Sequence, residues 1–198
     1  MNTFLLKSIL PDSFSNQENQ LVSFVHSEHG NQKRKYTGLP YVTHLVAVAS
    51  TVKDHVDDPV LVATALCHDL FEDTDCSEER LTHTLLNLRY DSESTNRIIR
   101  YTWELTDRYT KEVHAHLTRR ERKELEAKRL IHIKSCSATV KCADVLDNAP
   151  SIAANDPDFA KVYVSEVMAF LPAMKKGDKV LYDKAMETCT NILKTLAE

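Results

Sequence analysis

Glycine is scarce in this chain: 3 among 198 residues, accompanied by only 6 prolines. Sheet proteins turn through tight hairpins that favour glycine, so this scarcity argues for a chain made mostly of helices. Cysteine is sparse as well. Cys67, Cys76, Cys136, Cys142 and Cys189 form neither a CxxC pair nor the framework of a secreted disulfide scaffold. A reducing cytoplasm is the location this predicts. An excess of one charge is missing too, since 25 Lys+Arg face 29 Asp+Glu for a formal net charge of -4. That balance gives no support to broad nucleic-acid binding, although a local basic pocket could still hold an anion. No apolar run approaches the roughly 20 residues that cross a bilayer. In the opening MNTFLLKSILPDSF, Pro11 and Asp12 come too early for a cleavable leader, so no membrane partner is expected.

What remains is an ordinary globular composition, 42% hydrophobic and 27% charged, in a length that suits one core. No repeat and no Pro/Gly/Ser-rich linker divides it. One all-α domain over residues 1–198 is the architecture predicted. Helical periodicity begins at SNQENQLVSFVHSEHG, where Ser15 and Glu18 have capping-box spacing and Gly30 supplies a stop. NQKRKYTGLPYV reads as a polar loop, because Gly38 and Pro40 interrupt any helix. A second helix covers THLVAVASTVKDHV. A third has Pro59 in its first turn and runs to about Glu72. CSEERLTHTLLNLRY and SESTNRIIRYTWELT read as shorter amphipathic helices.

The longest candidate is TRRERKELEAKRLIHIKSCSATVKCADVLDNA, opened by Thr118 with Glu121 at the capping-box position. At 1.5 Å per residue it would reach roughly 40 Å if its Ser-Cys-Ser patch does not bend it. FAKVYVSEVMAFLPAM follows, and Gly177-Asp178 separate this from a terminal helix.

The stretch LVATALCHDLFEDTD carries the chemistry. An apolar run ends in His68, Asp69, Glu72, Asp73 and Asp75, more acid than a solvated helix end needs. Adjacent imidazole and carboxylate can both reach a divalent metal. His44 on the preceding helix and Asp144 on the long one are further donors that a helical packing could bring in. Glu72 lies three residues after Asp69, so a helical continuation puts both near one face. Lys141, Asp144 and Asn148, at spacings of three and four, also share a face. A salt bridge and a helix cap are the ordinary roles for Lys141 and Asn148; a phosphate or ribose contact is the functional one. Arg34 and Lys35, in a loop, would by themselves read as solvated surface.

RKYTGLPYVTH, then LCHDLFEDTD, then VKCADVLDN resemble the HD-domain phosphohydrolases, specifically the RelA/SpoT hydrolase domain and the stand-alone small alarmone hydrolases. The matched series runs from about His26 to Pro150. The resemblance implies an all-helical metallohydrolase, commonly using manganese, that removes the 3′-pyrophosphate of guanosine tetra- or pentaphosphate. It assigns the ion to His44, His68, Asp69 and Asp144, and the orientation and activation of water to Glu72 and Asp73. Arg34 would meet the purine base, with Lys35 in the same pocket; Lys141 and Asn148 would meet phosphate or ribose. Two departures bear on specificity: RKYTG is one residue longer than the RKSG-like loop of the long proteins, and Val145 stands where the family often has Arg. An adenosine alarmone or another nucleotide is the alternative substrate, and a non-catalytic nucleotide-binding regulator the alternative class. Arg119, Arg120, Arg122 and Lys123 belong to a mixed-charge stretch whose ordinary reading is a solvated helix face. Oligomeric state stays open.

Overall fold

The computed structural model describes residues 9–197; the first eight residues of the stretch read against a leader lie outside these. The described residues contain ten α-helices and one 3-10 helix, and no named strand. They fall into two compact units, 1–103 and 104–198. The all-helical expectation holds, and no described helix is long and apolar enough to cross a membrane.

In the first unit, α1 (Asn16–His29), α2 (Val42–His55) and α3 (Pro59–Cys67) pack on one another. The capping box that opens α1 is complete: Glu18 N–H donates to Ser15 Oγ at 3.2 Å, and Ser15 N–H to Glu18 Oε2 at 2.6 Å. Glu18 is nonetheless only 2% exposed, and Lys53 Nζ on α2 donates to its Oε1 at 2.8 Å. The cap thus also fastens α1 to α2. In α3, started by Asp58 and Pro59, all eight residues from Val60 to Cys67 are buried. A helix that is apolar all round belongs inside a core.

The third helix does not continue to Glu72. It stops at Cys67, and α4 (Leu70–Asp73) is a separate single turn. Asp69 sits between them at φ -99°, ψ 0°, outside helical geometry. Aspartate is a poor interior helix residue, and here its carboxylate is held by Tyr41, as described below. α5 (Glu78–Asn87) and α6 (Ser92–Leu105) follow; Trp103 on α6 stacks on Phe71 at 4.3 Å and donates to Glu78 at 2.6 Å.

In the second unit, α7 (Arg119–Leu130) begins with the Thr118–Glu121 capping box read from sequence. The long helix is two helices. The chain breaks at 131–134 and resumes as α8 (Ser135–Asn155), so the Ser-Cys-Ser patch opens a helix rather than bending one. Lys134 is extended and makes no side-chain cap. Glu104 does this from far upstream: its Oε2 accepts Lys134 N–H at 2.8 Å and the Ser137 hydroxyl at 2.6 Å. α8 then packs against α9 (Pro157–Met168), the 3-10 segment Leu171–Lys176 and α10 (Lys179–Thr195). Gly177 is required where it stands, because a Cβ there would lie 2.8 Å from the Thr139 backbone nitrogen on α8.

Candidate active site

Tyr41 immediately precedes α2, His44 lies on its first turn, His68 ends α3, and Asp69 occupies the break. His44 and His68 are each 2% exposed, with ring centroids 5.2 Å apart and planes at 64°. Asp69 Oδ2 is 3.0 Å from His68 Nε2 and 3.6 Å from His44 Nε2. The Tyr41 hydroxyl donates to the same oxygen at 2.7 Å. His68 Nδ1 lies 2.8 Å from the Ala65 carbonyl, which can only accept; Nδ1 therefore carries the proton and Nε2 is the nitrogen with a lone pair. Two imidazole nitrogens and a carboxylate oxygen converge in this unit, a donor set suited to a first-row divalent ion.

The break after α3 turns the next acids out of the core. Glu72 and Asp73 are exposed, and both their N–H groups donate to the Asp69 carbonyl, at 3.2 and 2.9 Å. Gln32 Nε2 donates to Asp73 Oδ2 at 2.9 Å. Asp73 faces solvent on one edge but is crowded on the other. That loss of water, then the neighbouring Asp69 charge, hold its carboxyl above the usual range, and the Gln32 hydrogen bond pulls partly the other way.

Arg34 and Lys35 lie on the expected loop. Arg34 N–H donates to Leu39 O at 2.8 Å, Gly38 N–H to Arg34 O at 3.0 Å, and Gly38 takes φ 68°. Lys35 Nζ folds back onto Tyr36, 3.0 Å from its hydroxyl and 4.6 Å from its ring centre.

In the second unit, Lys141, Asp144 and Asn148 do share one face of α8. Lys141 Nζ donates to Asp144 Oδ2 at 2.8 Å, and Asn148 Nδ2 to Oδ1 at 2.7 Å. Burial alone would lower the Lys141 pKa, but the Asp144 and Asp107 charges outweigh it and hold the ammonium well above its ordinary value. Asn148 caps nothing, because α8 continues to Asn155. Among the four cations left undecided, Arg119 pairs with Glu166 through two 2.9 Å bonds, Arg120 with Glu124, Lys123 with Asp107, and Arg122 with the Leu117 carbonyl.

No protein-family model matches the chain. Among curated proteins, it is 28% identical over 162 residues to the human guanosine-3′,5′-bis(diphosphate) 3′-pyrophosphohydrolase MESH1, covering 80% of this chain and 82% of that one. It is 41% identical over 58 residues to the guanosine-3′,5′-bis(diphosphate) 3′-pyrophosphohydrolase of Aquifex aeolicus, covering 29% of this chain. The chain spans 8% of the length of that protein and of the Synechocystis relative, and 23% of the Mycoplasma genitalium one. A solved metazoan orthologue of SpoT, described as hydrolysing ppGpp, superposes with a TM-score of 0.74 at 22% identity, over 91% of this chain and 98% of that one.

This chain resembles the RelA/SpoT-like small alarmone hydrolases. Its fold is the HD-type helical fold of that group. The structure adds three neighbours of the expected site residues: Tyr41 beside Asp69, Gln32 beside Asp73 and His29 beside Gln32. Tyr41 offered a weak signal, since it lies three residues before His44, the spacing of neighbours on a helix face. Gln32, a polar residue in a polar loop, offered none.

Proposed function

We propose that the chain is a metal-dependent 3′-pyrophosphohydrolase of guanosine tetra- and pentaphosphate, working in the cytoplasm on this small nucleotide. The observation that supports it most is the buried His44–His68 pair beside Asp69, with Glu72 and Asp73 on the very next turn. Binding alone needs no water-activating carboxylates beside a metal-donor set, which is the argument against a purely regulatory protein.

His44, His68 and Asp144 are buried and each offers one ligand atom. With Asp69 they form the proposed ion-holding set, and the motif series favours manganese. On this reading residues 1–198 work as one HD hydrolase domain. A bound divalent ion would supply Lewis acidity toward water and phosphate oxygens. Glu72 and Asp73 would orient the attacking water and take its proton as the bond from phosphorus to the ribose 3′ oxygen breaks, and a proton would return to that oxygen to leave a 3′-hydroxyl and free pyrophosphate. Arg34 would lay its guanidinium against the purine, with Lys35 beside it, once Lys35 leaves Tyr36. Lys141 spends one of three ammonium donors on Asp144, and Asn148 one of two amide donors; the rest suffice for phosphate and ribose.

The test is product identification. Chelated protein is given manganese and a panel of guanosine and adenosine 3′-pyrophosphates, and products are resolved by chromatography. Pyrophosphate release from the guanosine compounds, dependent on added metal, is expected. Turnover of adenosine compounds alone would move the substrate assignment, and no product from any of them would overturn the hydrolase reading.

A further inference from the structure

We infer that Gln32 is a positioning residue that aims the Asp73 carboxylate, with His29 fixing which way round the Gln32 amide sits. The catalytic part of this inference rests on the hydrolase reading above; the geometric part does not.

Gln32 is pinned at its backbone from both sides. α1 ends at His29, and Gly30, at φ 55°, turns the chain so that Gln32 N–H donates to His29 O at 3.0 Å. The Gln32 carbonyl then accepts Tyr41 N–H, also at 3.0 Å. Gln32 therefore joins the end of α1 to the start of α2, and its side chain leaves from a fixed point.

A glutamine amide can present either its oxygen or its NH2 to a neighbour, and only the NH2 can serve a carboxylate. His29 decides the choice. Its Nδ1 lies 2.6 Å from Gln32 Oε1, and an amide oxygen is only an acceptor, so the imidazole N–H donates to it. That leaves Gln32 Nε2 directed at Asp73 Oδ2, 2.9 Å away. His29 is itself immobilised: 6% exposed, stacked on Tyr41 at 4.9 Å and 25°, with a buried Nε2 that makes no hydrogen bond among the described residues. Asp73 is also approached by the Tyr41 hydroxyl, so Gln32 and Tyr41 together restrict its side chain. With Oδ2 held by Gln32, one orientation of the carboxylate is favoured.

Gln32→Met keeps length and volume but cannot donate. It should lower kcat for pyrophosphate release roughly 10- to 100-fold, the usual effect of removing a group that supports a working one. KM, manganese affinity and Tm should stay near wild type, whereas loosening the whole 30–41 loop would move all three. In an Asp73→Asn background the same change should cost little more, because the two act as one unit. His29→Phe, which preserves the stack on Tyr41, should act in the same direction more weakly. Independently of turnover, NMR should show a slowly exchanging Gln32 side-chain amide whose resonances shift in Asp73→Asn and in His29→Phe. Unchanged kcat in Gln32→Met, or additive losses in the double variant, overturns the catalytic part. An unshifted Gln32 amide overturns the geometric part. If wild type releases no pyrophosphate, the hydrolase reading and the catalytic role built on it both fall, and the amide spectra still decide whether Gln32 aims Asp73.

Discussion

The Tyr41 hydroxyl and His68 Nε2 meet on one atom, Asp69 Oδ2, at 2.7 and 3.0 Å. Tyr41 thus holds the Asp69 carboxylate, a proposed metal ligand, beside His68 and His44. Tyr41→Phe should weaken manganese binding roughly 10- to 100-fold, as expected on losing a ligand's supporting hydrogen bond. His44→Ala, His68→Ala or Asp69→Ala should weaken it further. Calorimetric titration of chelated protein measures this, and unchanged affinity in Tyr41→Phe would remove that residue from the site.

Glu72 and Asp73 are assigned to water rather than to metal. At saturating manganese, Glu72→Gln or Asp73→Asn should lower turnover by at least ~100-fold while shifting metal affinity less. Wild-type rates in both variants would strike them from the mechanism.

Arg34 is half-buried in a loop that backbone hydrogen bonds from Arg34 to Leu39 and from Gly38 to Arg34 help to shape. Arg34→Ala should weaken binding of a non-hydrolysable substrate analogue by about 1 to 3 kcal/mol, roughly 5- to 150-fold. Arg34→Lys should recover only part, since it keeps the charge but loses the planar fork. Equal analogue affinity in Arg34→Ala would place the base elsewhere.

The Glu18–Lys53 pair gives a stability prediction. Burial would lower the Lys53 pKa, but the Glu18 hydrogen bond and charge outweigh it, and the value lies above its ordinary 10.5. A raised lysine stabilises the fold fully below the unfolded value and loses that contribution as pH rises through the folded one. Lys53→Met strands a carboxylate whose side chain is 3% exposed, at a cost of about 3 kcal/mol. The gap in unfolding free energy between wild type and variant should be constant across neutral pH and shrink above about pH 10.5. A gap that instead grows at alkaline pH would falsify this account.

Burial pushes the Cys76 and Cys189 thiols up to about 11 and Cys142 to about 12, with Cys67 higher still. Cys136 is the half-buried one. Near neutral pH, iodoacetamide should label Cys136 first in the native protein and the other four only after unfolding. Mass spectrometry of peptides reads the order directly; early modification of Cys67 would contradict the packing of α3.

What the sequence made legible was what neighbours in sequence decide. Ser15 reaches Glu18 and Thr118 reaches Glu121 within one turn, so both helix starts were readable. Lys141, Asp144 and Asn148 share a face because helical spacing alone puts them there. The two misread helices fail for the opposite reason. Asp69 leaves the helix to meet Tyr41, 28 positions away, and Lys134 is capped by Glu104, 30 positions away. Propensity within a window contains neither partner. Gln32 was missed on the same ground, its contact with Asp73 spanning 41 positions.

The Glu104 carboxylate ties the start of α8 to a residue 30 positions upstream. α8, at 21 residues the longest of the described helices, has no side-chain cap within its own neighbourhood. Its first turn is capped instead by Glu104 on α6, so the stability of that turn depends on a contact made from far along the chain as well as on local propensity. In Glu104→Ala the Lys134 amide and the first turn of α8 should exchange with solvent faster than in wild type while the amides around Asp144 keep their protection, which turns the start of α8 into a gauge of how tightly Glu104 holds it.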